Sequence, residues 1–93
     1  MTYILAALAL LLVIDWRQTL TIARNPQRWY ERNPILGEHP SAGRVHAWFA
    51  LVSIATALAA YLLPDLIVLA LSLLGIVIEG LCVANNWRLG IRP

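Results

Sequence analysis

Three apolar runs divide the chain. Tyr3 to Ile14 is apolar without a break. Val45 to Leu63 holds no carboxylate and no arginine, and Leu66 to Ile78 is equally clean and continues past Glu79 to Ala84. The second and third runs approach the ~20 residues that carry a helix across a ~30 Å hydrocarbon core. The first would rise only about 18 Å by itself. Its helix is therefore expected to run on through Asp15 to about Ala23, taking polar residues with it. A cleaved signal sequence or an interfacial helix is the alternative for this run. Met1-Thr2 offers no basic leader, however, and no small-x-small site follows the run, so a span is expected. The pattern thus predicts an all-α integral membrane protein, one membrane domain over 1–93, with spans at about 3–23, 44–63 and 66–86 and a connection at 24–43.

Composition supports lipid as the solvent. Of the 93 residues 60% are hydrophobic and 13% charged, with a mean hydropathy of +0.71. A soluble domain is usually about 25% charged, and a chain this short buries too small a fraction of its surface to hide the surplus. All 7 cations are arginines. Arg24, Arg28, Arg32 and Arg44 fall between the first two spans, and Arg88 and Arg92 follow the third. The opposite side has only the first residues and the turn Leu-Leu-Pro64-Asp65-Leu, in which Pro64 ends one helix and Asp65 is expected to cap the next. The positive-inside rule then puts the N-terminus outside and the C-terminus in the cytoplasm, with a bacterial inner membrane as the expected location. Trp29, Tyr30, Trp48 and Trp87 gather near the arginine-rich boundary, where amphipathic rings and Arg24, Arg28 and Arg32 serve as interfacial anchors. The arginines flank spans and form no separate basic domain, so nucleic acid is not an expected partner. The single Cys82 lies inside a span and indicates no disulfide or redox role.

The connection repeats Arg-Asn-Pro at 24–26 and 32–34, a helix-start signal in which Asn caps and Pro takes the first helical position. It predicts either a short interfacial helix over Pro26 to Arg32 or a structured loop, punctuated by Pro34, Gly37, Pro40 and Gly43. Ser41 or His39 is placed to cap the second span. The connection either returns the chain to the membrane or adds a polar lid from Glu31, Asn33, Glu38 and His39.

Each span also carries a polar or small-residue stripe at helical spacing. The first has Asp15, Gln18, Thr19 and Ile22. The second has His46, Ala50, Ser53, Ala57 and Ala60. The third has Ser72, Gly75, Glu79, Cys82 and Asn86. Small residues let helices approach closely in lipid, and polar ones hydrogen-bond across the interface. By helical rise Asp15 sits about 13 Å from Arg24, and Glu79 about 10 Å from Asn86. Asp15, Gln18, Thr19, Ser53 and Glu79 are therefore expected to form an intramembrane polar layer, with Glu31, Asn33, His39, His46 and Asn86 nearer the cytoplasmic mouth. A lone ionised carboxylate at such depth costs roughly 2.5–3.5 kcal/mol on the most lenient scale. At least one of the two acids is expected to carry a proton, to pair with Arg17, or to face water. Arg17 lies about 200° around the helix from Asp15. It is placed to snorkel to headgroups or to reach a carboxylate of another copy.

There is no serine elbow, phosphate loop or paired-histidine motif, so an enzyme is not the favoured reading and no cofactor or metal is expected. Three short spans, N-out and C-in, followed by the basic tail Trp87-Arg88-Leu-Gly-Ile-Arg92-Pro, resemble the class I holins of bacteriophages. The resemblance is one of size and topology over the whole chain and assigns no residue a role. It implies a small protein that self-associates and opens the inner membrane. Two other readings stand beside it: an accessory or regulatory subunit docked on a larger membrane complex, and a small ion or proton pathway or interfacial enzyme built on Asp15 and Glu79. The bilayer, a second copy of the chain or another membrane protein are the partners these readings imply.

Overall fold

The computed structural model describes residues 1–93 and contains three helices: α1 (Thr2–Arg24), α2 (Ala42–Leu62) and α3 (Asp65–Arg88). Each is long and apolar enough to cross a membrane. Only 12 of 93 residues are buried, and the outer faces carry Leu10, Leu51, Ile54, Leu66 and Leu81, each at least 60% exposed. Water would not tolerate a surface so continuously apolar. A bilayer would, and the chain is built as a small three-span membrane protein.

α1 is the central element. It packs along α3 and, less extensively, along α2, whereas α2 and α3 barely touch. The α1–α3 seam closes because Gly75 has no side chain. A Cβ there would lie 3.1 Å from Leu8 Cδ1. Leu8, Leu12, Val68 and Ser72 are buried along this seam on the side of the short turn. Toward the arginine-rich end its buried residues are Gln18, Thr19 and Ile22. These belong to the stripe read from the sequence of the first span.

The helix ends follow local chemistry. Asn25 closes α1, its side-chain amide donating to the Thr21 carbonyl at 2.8 Å, and Pro26 prevents continuation. Ser41 caps α2 by accepting from the Arg44 N–H at 3.2 Å. Pro64 is the N-cap of α3 and Asp65 its first helical residue. Asp65 makes no capping bond, so its contribution is a negative charge in the first turn rather than the expected cap. At the other end α3 stops in a Schellman motif. Gly90, at φ +89°, donates to the Trp87 carbonyl, and Ile91 donates to that of Asn86 at 2.9 Å. This reversal folds Ile91 back into the protein, where it is 2% exposed.

The connection is a structured loop and not the interfacial helix that Arg-Asn-Pro suggested. Residues 26–28 make a single turn and 29–33 have no regular secondary structure. Two causes are visible. The Glu31 carboxylate accepts from the N–H groups of Arg32 and Asn33, at 2.9 and 3.1 Å, and so captures donors a helix would need. Pro34 also holds Asn33 out of helical conformation. A second turn follows, with Leu36 and Gly37 both donating to the Asn33 carbonyl and Gly37 at φ +82°. Glu31 N–H to Glu38 O, at 2.8 Å, ties the two limbs together. The Arg44 guanidinium anchors the loop to α2 through the Ile35 carbonyl at 3.0 Å, and Leu36 is buried beneath.

Candidate functional site

Because α2 and α3 diverge from their shared turn, a gap opens between them toward the arginine-rich end. The loop roofs this gap and α1 closes its back. The result is a cavity of about 660 Å³. Asp15 and Thr19 face it from α1. Trp48, Phe49 and Val52 form the α2 wall, and Glu79, Cys82, Asn85 and Asn86 form the α3 wall. Arg28, Trp29, Tyr30, Glu31, Arg32 and Asn33 form the roof and rim.

At the base, Asp15 from α1 and Glu79 from α3 line the same cavity. The Asp15 carboxyl accepts from the Thr19 hydroxyl at 3.2 Å. Glu79 Oε2 is buried and no N–H or hydroxyl faces it. Two ionised carboxylates have no donor between them. Glu79 Oε2 therefore stands as an acceptor without a donor.

Beside the pair stands Gln18, fully buried. Its side-chain N–H groups donate to the carbonyls of Val83 at 3.3 Å and Ile91 at 3.4 Å. Its carbonyl accepts from the Asn86 side chain at 3.3 Å. Every polar atom of Gln18 is thus matched. It bolts α1 to α3 and to the reversed tail, which Thr21 also grips by donating to the Arg92 carbonyl at 2.8 Å.

The sequence-derived candidates divide by position. Asp15, Thr19, Glu31, Asn33, Glu79 and Asn86 converge on the cavity. Gln18 lies behind it as a fastener. Ser53 points elsewhere, into an apolar crease between α1 and α2 with Leu5, Ala9 and Val13. α2 turns Val45 and Phe49 inward, one position away from the His46/Ala50/Ser53 stripe. Hydropathy had no means of choosing that face, because α2 is apolar all round. His39 is exposed and away from the cavity. His46 lies on the outside of the α1–α2 seam and accepts a hydrogen bond from Trp16 Nε1 at 3.1 Å. Trp29, Tyr30 and Trp48 line the cavity, while Trp87 is half exposed beneath the Arg92 guanidinium, 4.1 Å from its ring centroid. Arg24 and Arg17 are exposed on the surface.

Two participants were missed. Trp16 stacks on Phe49 at 5.7 Å and 11°, which makes it the main aromatic tie between α1 and α2. Its acceptor and its stacking partner, His46 and Phe49, lie three residues apart on α2, a spacing legible in principle. Ile91 was missed with the rest of the tail, although Gly90 just past an apolar helix is a C-cap signal.

No three of His, Cys, Asp and Glu converge in a geometry suited to a metal ion. The chain matches no family model, and neither a curated protein nor a solved structure is similar to it. Function must be argued from the cavity itself.

Proposed function

We propose that the protein is a membrane-embedded proton-exchange site, in which the proton shared by Asp15 and Glu79 is coupled to what occupies the cavity above it. The observation that carries this reading is the buried, donor-starved Glu79 Oε2 beside Asp15 at the base of a cavity that opens among arginines. An acid pair sealed in apolar packing would be an assembly clasp. An acid pair on the wall of a large polar-roofed cavity is reachable by water or by a ligand, and intramembrane acids in such positions are functional candidates. A hydrogen-bond donor arriving in the cavity satisfies Glu79 Oε2 and allows the pair to release its proton; its departure draws the proton back.

Infrared spectroscopy of the protein in lipid tests this. A protonated-carboxyl C=O band should be present in the wild type and vanish or shift in Glu79→Gln and in Asp15→Asn. Both variants should keep their helix content. Proton release on titrating the cavity with a small donor such as ammonium should occur in wild type and be absent in both variants. Normal proton release in Glu79→Gln would refute the reading.

A second reading, self-association of the holin-like kind, draws support from the open α2–α3 gap, which a helix of another copy would close. It places the arginine-rich ends together in the cytoplasm. Crosslinking in bilayers and dye leakage from vesicles test it. A monomer that leaks nothing excludes it.

A further inference from the structure

The cavity does not end at the acid pair. A second, apolar groove of about 350 Å³ continues from it between α2 and α3, and Leu12, Val52 and Glu79 line both spaces. Its walls beyond that junction are mostly apolar: Ala55, Ala59 and Ala60 on α2 and Val68, Leu71 and Gly75 on α3, with Leu5 and Leu8 of α1 behind and only the hydroxyls of Thr56 and Ser72 as polar groups. Along α2 the wall from Trp48 to Ala60 rises about 18 Å, more than half of a ~30 Å hydrocarbon core. The track is open to the side, because α2 and α3 barely touch.

At the opposite end of the track stand Arg28 and Arg32. Of the arginines, Arg44, Arg88 and Arg92 spend their guanidinium donors inside the chain. Those of Arg28 and Arg32 make no such bond; Arg28 merely rests over the Trp29 ring at 4.6 Å. Glu31, the nearest acid in sequence, is held by backbone N–H groups and is not engaged with either of them. Two unmatched guanidinium groups at the rim call for an anion with several acceptor oxygens, which phosphate supplies. A soluble phosphate would satisfy the rim and leave the apolar groove empty. A hydrocarbon would fill the groove and ignore the rim.

We infer that the cavity and groove together form a binding site for one phospholipid with an anionic headgroup, its phosphate on Arg28 and Arg32 and one acyl chain lying between α2 and α3. Lateral entry requires no opening of the helix bundle. Glu79, at the junction of polar and apolar compartments, meets the part of the lipid where headgroup gives way to chain. The inference rests on the proposed proton-exchange reading only in naming the occupant; the lipid site itself needs no proton transfer.

Native mass spectrometry of the whole chain, released from mild detergent after incubation with phosphatidylglycerol, reads occupancy directly. One lipid should be retained per chain. Arg28→Gln/Arg32→Gln should weaken retention by roughly tenfold or more, since each loses a charge-assisted hydrogen bond. Ala59→Trp, which fills the groove at a surface position, should abolish retention while leaving the arginines intact. Arg24→Gln, away from the cavity, should behave as wild type. Equal retention of phosphatidylglycerol by the double arginine variant, or of uncharged diacylglycerol by the wild type, would overturn the inference. So would inorganic phosphate binding that Ala59→Trp leaves unchanged, or a lipid-free dimer. Lipid retention that survives in the Glu79→Gln variant, which has lost proton release, shows the lipid site standing without the proton.

Discussion

Gln18→Leu is the most exacting test of the packing described above. The change shortens the side chain by one atom, keeps roughly its volume, and removes the bonds to Val83, Ile91 and Asn86. Interhelical hydrogen bonds in membrane proteins average about 0.6 kcal/mol, so three bonds represent ~2 kcal/mol. The Val83 carbonyl keeps its own helical donor. The Ile91 carbonyl and the Asn86 amide are left without their partner, which adds about 1 kcal/mol. Leucine offers little in return, because lipid tails are as apolar as leucine and no water is displaced. The sum, ~2–3 kcal/mol, corresponds to a roughly 30- to 150-fold shift in the unfolding equilibrium. Titration with sodium dodecyl sulfate in mixed micelles, followed by circular dichroism, measures it. A thiol placed at Ile91 should also become reactive toward a water-soluble maleimide, because the tail loses its clamp. If Gln18→Leu is within about 0.5 kcal/mol of wild type and the thiol stays protected, the fastening role is wrong. Gln18→Leu combined with Asn86→Leu should cost less than the two separately, since they share a bond.

Gly75→Val should destabilise by about 1–3 kcal/mol through overpacking against Leu8, and Leu8→Ala should recover part of the loss; the same micelle titration reads both. Trp16→Phe keeps a ring on Phe49 and should retain near-native stability. Trp16→Ala should loosen α1 from α2, seen as faster hydrogen exchange in α2, and equal exchange in the two variants would discount the stacking. With the native Cys82 replaced by Ser, single cysteines at Thr2 and Gly90 test the orientation. Labelling from outside the cell should reach position 2 and spare position 90, and the opposite pattern would reverse the proposed topology.

The three spans were legible because hydropathy reports what faces lipid, and most of this chain does. The Asp15/Gln18/Thr19 face of α1 was legible for a related reason: polar side chains on an apolar helix have only one tolerable direction. α2 lacked such a marker. Its most buried residues, Val45 and Phe49, are as apolar as those it shows to lipid, so periodicity picked the neighbouring His46/Ser53 stripe, which edges the α1–α2 seam, and passed over them. The depth argument brought Asp15 and Glu79 to one level from helical rise alone. It also put Ser53 at that level, but depth carries no information on azimuth, and Ser53 turned into the α1–α2 crease. The loop defeated a local rule: Arg-Asn-Pro at 24–26 starts only the single turn at 26–28, because further on Glu31 holds the N–H groups of Arg32 and Asn33 that a longer helix would turn inward. The cavity was beyond the sequence altogether. It depends on α2 and α3 diverging, a property of three packed helices and of no single one.

The partners of Gln18 lie 65 to 73 residues further along the chain. During insertion α1 enters the bilayer long before α3 exists. For that interval Gln18 has none of its partners and Asp15 only Thr19 of its own helix, and the first helix is the least comfortable in the membrane just when it is alone there. Long-range closure of this kind slows assembly. It also makes the order of events asymmetric: a segment made after α3 completes the first helix. Stalling synthesis after α2 should leave α1 exchanging between the bilayer and whatever protein shelters nascent spans, and release of the turn at Gly90 and Ile91 should end that exchange at once.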